Sequence, residues 1–418
     1  MDFDVVVVGT RVAGAATAML LARAGLRVLA VDRARFPSDT VSTHQVQLPG
    51  GVLLRRWGVL DQLVARGTRP ARSVVFDAGP AVLRGSYPPL DGVDAVYSPR
   101  RTSLDALLIA AARDAGAEID EGFVVDGLIR DGDRVTGIRG RHKPGSPSGG
   151  PDVTRTAALV IGADGKNSTI AREAGARVYR RRPSASGVLY GYFAGLPVGG
   201  GEVYVRPDRM MTLWPTDDDL TLVYLGVPGL GFPQARAAGL ARMAGGIAEL
   251  GDRLAAATPV ERVRGTTDVP GLMRRPYGPG WALVGDAGLV MDPITGQGIG
   301  NALRDADSLS RAIVDGLGGG RPVETAMRQH HRERDASRRP MYDLTARLAA
   351  FRPDPATDLL FPALAADPAH VTRFLGMLTG ALPVSAVFGP AALRRTVGAG
   401  GLARMAVARA RRSGPARR

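Results

Sequence analysis

The sequence has no cysteine in 418 residues. That excludes disulfides, thiolate nucleophiles, cysteine-ligated zinc and a CxxC redox relay. Lysine is nearly missing too, with only Lys143 and Lys166. Aromatic residues are sparse at 5%, and the three tryptophans, Trp57, Trp214 and Trp281, stand far apart. No uninterrupted apolar run approaches ~20 residues, so no membrane span is expected. The chain does not open on a basic segment followed by an apolar stretch and a cleavage site. No signal peptide is expected, and the expected location is cytoplasmic. His330 and His331 lie in RQHHRER without a third ligand at metal spacing. They are read as an exposed helix face, and no metal site is expected. No internal repeat is visible, and nothing in the sequence assigns an oligomeric state.

What is abundant is arginine. The formal net charge is +14, and the stretch from Ala391 onward holds eight arginines and no acid. No aromatics or recognition motif interleave there, so a solvated tail is expected rather than a nucleic-acid interface. The hydrophobic fraction of 45% is that of a globular chain, and the length supplies core for two or three domains.

The opening DFDVVVVG reads as a buried parallel strand, GAATAMLLARAG as a helix stopped by Gly25, and LRVLAVD as a second strand. GVLLRRWGVLDQLVARG predicts one helix. RRTSLDALLIAAARDAGAEI predicts another, with Ser103 as its cap. EGFVVDGLIRDGDRVTGIRG predicts a hairpin, HKPGSPSGGPD a mobile loop, and AALVIGADG a return to a buried strand. Alternating strands follow around an acidic turn at Asp217 to Asp219, and the remainder is mostly helical.

The expected fold class is α/β. A discontinuous Rossmann-like domain takes 1–70, 98–177 and 263–330. A β-sheet substrate domain takes 71–97 and 178–262. A C-terminal helical region with the basic tail takes 331–418.

In VVVVGTRVAGAA, Gly9 suits a tight turn after the first strand and Gly14 close helix–strand packing. The helix start offers free N–H groups and partial positive charge to phosphate. Asp32 ends the second strand, where an acid accepts bonds from ribose hydroxyls. Arg11 stands where a second glycine is usual. Its side chain either turns outward or lies against a phosphate, and the second reading is favoured. One such fingerprint is present, so separate Rossmann domains for a flavin and a nicotinamide are not expected.

Three separated motifs, GTRVAG with Asp32, GADGKNSTIAR, and LVGDAGLVMDPITGQGIGNALRDA, carry a resemblance. The chain resembles the FAD-dependent monooxygenases of the para-hydroxybenzoate hydroxylase fold and their relatives, the geranylgeranyl reductases and flavin halogenases. Arg11 departs from the pattern. The resemblance implies non-covalent FAD, held by Gly9, Arg11, Ala13, Gly14, Asp32 and Arg33 around its adenosine and diphosphate. It places Arg101 at the phosphates or ribose, with Arg100 competing for that role, and gives Val125 backbone contacts to adenine. Asp164 is assigned to flavin or to nicotinamide contacts, and Gly285 and Asp286 to the ribityl chain. Pro293, Gly296, Gly298, Ile299 and Asn301 are placed along the ring, with a helix start near Ile299 supporting negative charge on reduced flavin.

His44 and Gln45 fall in a stretch that passes the ring in related enzymes. Either could touch flavin or substrate, and His44 is the candidate catalytic side chain. Met210, Met211, Trp214, Tyr190 and Tyr224 are candidates to line a substrate pocket; core alternation explains them equally well.

The implied reaction uses NAD(P)H as transient reductant and O2 to hydroxylate an aromatic or polyketide-like small molecule, in bacterial secondary metabolism. The alternatives are a prenyl-chain double-bond reductase and a non-catalytic FAD-binding accessory protein. A halogenase is disfavoured, because no WxWxIP segment and no early lysine are present.

Overall fold

A computed structural model describes the chain apart from residues 41, 43, 144–151, 248, 353 and 414–418, and side chains up to residue 408. Residues 144–151 of the loop expected over HKPGSPSGGPD and 414–418 of the arginine tail lie outside the described residues; the stretch before the latter is helix Pro390–Ser413.

The opening valines form strand Phe3–Val8, as β-branched residues buried on both faces should. It pairs in parallel with Val28–Asp32 on one side and Val153–Gly162 on the other. Trp281–Leu283 adds beyond Val153–Gly162, and Glu118–Glu121 beyond Val28–Asp32. Strands from the start, the middle and the late part of the chain thus build one parallel sheet. Its two faces separate by residue parity. Val5, Val7, Val28 and Ala30 join the core that holds helices Val12–Arg23, Arg101–Asp114 and Gly298–Leu317. Val6, Val8, Leu29 and Val31 pack on Phe123, Val135 and Ile138 of the antiparallel hairpin Phe123–Asp131/Arg134–His142. Each fully buried valine contributes about 1.5–3 kcal/mol.

A second sheet joins strands from two distant stretches. Ser73–Asp77 and Val82–Ser86 extend the meander of Ser186–Ala194, Thr221–Pro228, Arg209–Pro215 and Gly201–Arg206. One face, with Leu189, Met211, Leu213 and Val223, packs under helices Phe232–Met243 and Leu250–Ala256. The other gathers Val188, Tyr190, Tyr192, Leu222 and Tyr224. Helices Thr357–Ala365 and Pro368–Leu378 cover the edge strand Val82–Ser86. There Phe76 stacks on Phe361 (5.8 Å) and meets Phe374 edge-on (5.1 Å). That cover removes an open sheet edge.

Three expectations are corrected. The helix over GVLLRRWGVLDQLVARG is two helices, Leu48–Arg56 and Leu60–Ala65, because Gly58 turns at φ +78° between them. Ser103 does not cap its helix; its hydroxyl donates to Asp217 (2.6 Å). His330 is buried rather than exposed, and its Nδ1 meets the Ser308 hydroxyl at 3.0 Å. Among the described residues no group of three or more His, Asp or Glu could hold a metal ion. No helix there is long and apolar enough to cross a membrane.

Candidate functional site

The three glycine-bearing motifs meet in space. Gly9 turns at φ +98°, and a Cβ there would stand 2.5 Å from the Ala163 carbonyl oxygen. The first motif is thereby pressed against the second. A Cβ on Gly14 would lie 1.7 Å from the Gly9 oxygen, so the opening helix packs on its own turn. Gly285, at φ +60°, faces Ala13 at 2.7 Å, which closes the third motif onto the first helix. Only glycine satisfies these approaches. Asp32 secures the turn: Oδ2 accepts from the Thr10 amide (2.7 Å) and Oδ1 from the Ala34 amide (2.7 Å). Arg33 beside it is exposed, and Val125 pairs with Gly140 inside the hairpin.

Arg11 begins helix Val12–Arg23 and turns sideways. Its guanidinium donates to the Ser38 carbonyl and hydroxyl, to the Asp39 carbonyl, and to Asp105 (2.8 Å). Arg101 grips the same Asp105 through Nε (3.1 Å) and Nη2 (2.9 Å), and both residues are buried. Asp105 was not singled out from sequence. The available signal was its position four residues after Arg101 on one helix face. Arg100 points the other way. It lies over the Tyr192 ring at 4.7 Å and pairs with Glu261. The adjacent arginines therefore serve opposite sides of the helix start.

Asp164 gives both carboxylate oxygens to local donors: the Ser168 hydroxyl and the Thr169 and Ile170 amides. Burial raises its carboxyl against those bonds. Asp286 is different. Protein surrounds it, and burial pushes its carboxyl up to about 6, with Arg101 and Lys166 pulling the other way and Asp305 adding to the rise. Its side chain is nevertheless exposed to solvent.

Gly298 shares that exposure, with nothing within 4 Å of where a Cβ would be. It starts helix Gly298–Leu317, whose first turn includes Ile299 and Asn301. Pro293 opens the short turn before it. Gly296 then bends at φ +61°, where a Cβ would fall on the Gln45 side chain.

His44 is fully buried at φ +61°. Its ring lies 5.2 Å from that of Tyr190 and 5.6 Å from that of Tyr192. Burial first, then Arg101, pulls the imidazole down to about 3, so it is neutral. Burial raises the Tyr192 phenol far above its ordinary value, so it keeps its proton. Tyr192 Oη lies 2.7 Å from His44 Nε2, and donation in that direction leaves the ring proton on Nδ1. Nδ1 is buried without a hydrogen-bond partner among the described residues.

The register places Met210, Trp214 and Tyr224 on the same sheet face as Tyr190 and Tyr192. Met211, also a candidate from sequence, points to the opposite face, because side chains alternate along the strand, and joins Leu189 and Leu213 there. The Tyr224 hydroxyl is buried and has no hydrogen-bond partner among the described residues, and the Trp214 ring covers Gly201. Ser186 donates to Asp292 (2.6 Å) and Tyr190 to the Thr40 carbonyl (3.1 Å), tying this face to the neighbouring loops. Asp292 and Tyr192 were also missed from sequence. Tyr192 was legible as the residue two beyond Tyr190, and Asp292 as the cap before Pro293.

Glycine backbone and two helix starts brought together, with an exposed carboxylate beside them, fit a flat dinucleotide cofactor. Residues 2–235 match the family described as the FAD binding domain. The chain belongs to this FAD-binding family. This flavoprotein is an FAD-dependent oxidoreductase.

It is 28% identical over 334 residues to a 6-methylpretetramide 4-monooxygenase of Streptomyces rimosus, covering 75% of this chain and 76% of that one. It is 25% identical over 312 residues to a digeranylgeranylglycerophospholipid reductase of Methanococcoides burtonii, covering 72% of each. A probable electron transfer flavoprotein-quinone oxidoreductase of Escherichia coli is 31% identical over 182 residues. That match spans 41% of this chain and only 39% of the relative.

Among solved structures, the flavin-dependent brominase Bmp2 superposes with TM-score 0.78 at 19% identity, over 94% of this chain and 97% of that one. PqsL, a probable FAD-dependent monooxygenase from Pseudomonas aeruginosa, does so with TM-score 0.68 at 23% identity, over 88% and 98%. At these identities the likeness is one of fold.

Proposed function

We propose that this flavoprotein is a monooxygenase of bacterial secondary metabolism that hydroxylates an aromatic or polyketide-like small molecule. NAD(P)H serves as its transient reductant and O2 as co-substrate. The observation that carries the reading is the pairing of two surfaces. The surface exposed at Asp286 and Gly298 is tied to a sheet face rich in tyrosine by the Ser186–Asp292 bond. The relationship to a 6-methylpretetramide monooxygenase points the same way.

Bound FAD supplies the redox chemistry, and this chain binds, orients and excludes water. Gly9, Ala13, Gly14 and the helix start behind Arg11 hold the diphosphate, with Asp32, Arg33 and Val125 toward the adenosine. Arg101 and Asp286 flank the linker, and Asp164 fixes the turn beneath it. Gly285, Pro293, Gly296, Gly298, Ile299 and Asn301, with Gln45, border the ring. Met210, Trp214 and Tyr224 line the acceptor pocket, and His44 offers Nδ1–H as a fixed donor beside it. The division into a discontinuous cofactor domain, a substrate sheet and a C-terminal helical region follows the same logic. A cytoplasmic location goes with use of NAD(P)H.

The purified protein should be yellow. NADPH or NADH should bleach it without oxygen, and air with a phenolic or polyketide substrate should yield a hydroxylated product. The digeranylgeranyl reductase relationship supports a second reading, double-bond reduction. A product formed from a polyene under strict anaerobiosis selects that reading and rejects hydroxylation.

A further inference from the structure

A cavity of 340 Å³ opens among helices Leu48–Arg56, Gly298–Leu317 and Val323–Ala349, and neither Asp286 nor Gly298 lines it. One wall is apolar, built from Pro49, Val52, Leu53 and Leu90. The facing wall carries Arg304, Ser308 and Arg338.

Arg304 differs from the arginines around it. Arg338 pairs with Asp305 (3.2 Å), Arg311 with Asp307 (2.6 Å) and Arg334 with Asp335 (3.0 Å). Arg304 has no carboxylate within ion-pair distance among the described residues. Its Nε donates to the Gly300 carbonyl (3.4 Å) and its Nη2 to Asn301 Oδ1 (2.7 Å). Nη1 makes no hydrogen bond among the described residues. Burial first, then Arg338, pulls this guanidinium down to about 9 against the opposing pull of Asp305, which is itself paired with Arg338. The acids on the wall do not balance Arg304 either. Asp307 is held by Arg311, while Glu333 and Asp91 are exposed, and Glu333 takes the Gln329 side chain.

We propose that this cavity binds a small organic carboxylate. The carboxylate pairs with Arg304, and the hydrocarbon body lies along Val52, Leu53 and Leu90. One unbalanced cation matches a monoanion, and the apolar wall favours an organic body over inorganic phosphate. The site is coupled to the cofactor helix. The guanidinium that would take the carboxylate also holds Asn301, in the first turn of Gly298–Leu317. A carboxylate that draws Arg304 outward releases the Asn301 carboxamide.

The test uses the FAD-loaded protein, with hexanoate as probe and hexanol and inorganic phosphate as comparators, titrated by calorimetry. Expected is saturable hexanoate binding, weakened at least tenfold by Arg304→Gln and by Val52→Glu. Both comparators should bind at least tenfold more weakly. Val52→Glu keeps the test open if Arg304→Gln does not fold. Hexanoate should also shift the flavin absorbance, and Arg304→Gln should abolish that shift. No saturable binding at millimolar hexanoate, equal binding by both variants, or equally strong phosphate binding overturns the site. Binding without a spectral shift overturns the coupling to Asn301.

Discussion

Gly285 stands against Ala13, so that a Cβ on the glycine would lie 2.7 Å from that of the alanine. A late turn is thus closed onto the first helix of the chain. Gly285→Ala should break this closure twice, by contact and by the φ of +60°. The strain alone is about 1–3 kcal/mol. FAD affinity should fall at least tenfold, with a lower urea midpoint for the apoprotein. Gly14→Ala should be worse, because its neighbour at 1.7 Å is backbone oxygen that cannot move aside. A Gly285→Ala protein that binds FAD like the parent would refute the convergence of the two motifs.

Asp105 is wholly buried between Arg11 and Arg101. Replacing it with alanine leaves two guanidinium groups without a counter-charge, a loss of about 3–5 kcal/mol for a broken buried pair. Arg11→Ala should cost less, because Asp105 keeps Arg101. In a double-mutant cycle, Arg11→Ala should have a much smaller effect once Asp105 is alanine. Denaturant unfolding of the four proteins measures this, and strict additivity would show that Arg11 and Asp105 act independently.

Much of this site is readable from glycines and little from charges. Gly9, Gly285 and Gly296 are legible because positive φ and close backbone approach leave few other residues possible. The tyrosine face is half legible. Alternation puts Tyr190, Tyr192, Met210 and Trp214 on faces of strands, yet only the register shows that they share one face turned toward His44. Asp105 was out of reach in its full role, since half of its charge balance comes from Arg11 on another helix. The orientations of Arg100 and Arg101 were equally hidden. They are neighbours in sequence, and tertiary contacts alone decide which way each points.

His44 should make the protein acid-sensitive. Its imidazole is pulled from 6.5 to about 3 in the folded chain. Unfolding therefore binds a proton anywhere between those values, and the stability contributed by burying the neutral ring is lost as pH falls from 6.5 toward 3. His44→Gln should flatten the fall in Tm between pH 6.5 and 4.5. Tyr192→Phe should retain the acid sensitivity while lowering Tm at every pH, since it removes only the 2.7 Å bond to Nε2. Activity should show no limb from His44 between pH 5 and 8. A His44-dependent inflection in that range would contradict a neutral ring.

Asp286 works in the opposite direction. Its carboxyl is raised from 3.8 to about 6 in the folded chain, chiefly by burial. The folded state therefore holds the proton more tightly, and stability falls as pH rises from 3.8 through 6. Asp286→Asn cannot ionise and removes that slope. The variant apoprotein should match the parent near pH 4 and exceed it in Tm at pH 8. The same change removes the exposed carboxylate beside Gly285, so FAD should bind at least tenfold more weakly even as the apoprotein becomes more stable. Gains in stability that accompany loss of ligand are expected where a charge is held for function rather than for folding. Thermal melts at pH 4 and 8, read beside a fluorescence titration with FAD, separate the two effects. A variant less stable than the parent at pH 8 would mean that the ionised carboxylate serves the fold instead of the cofactor.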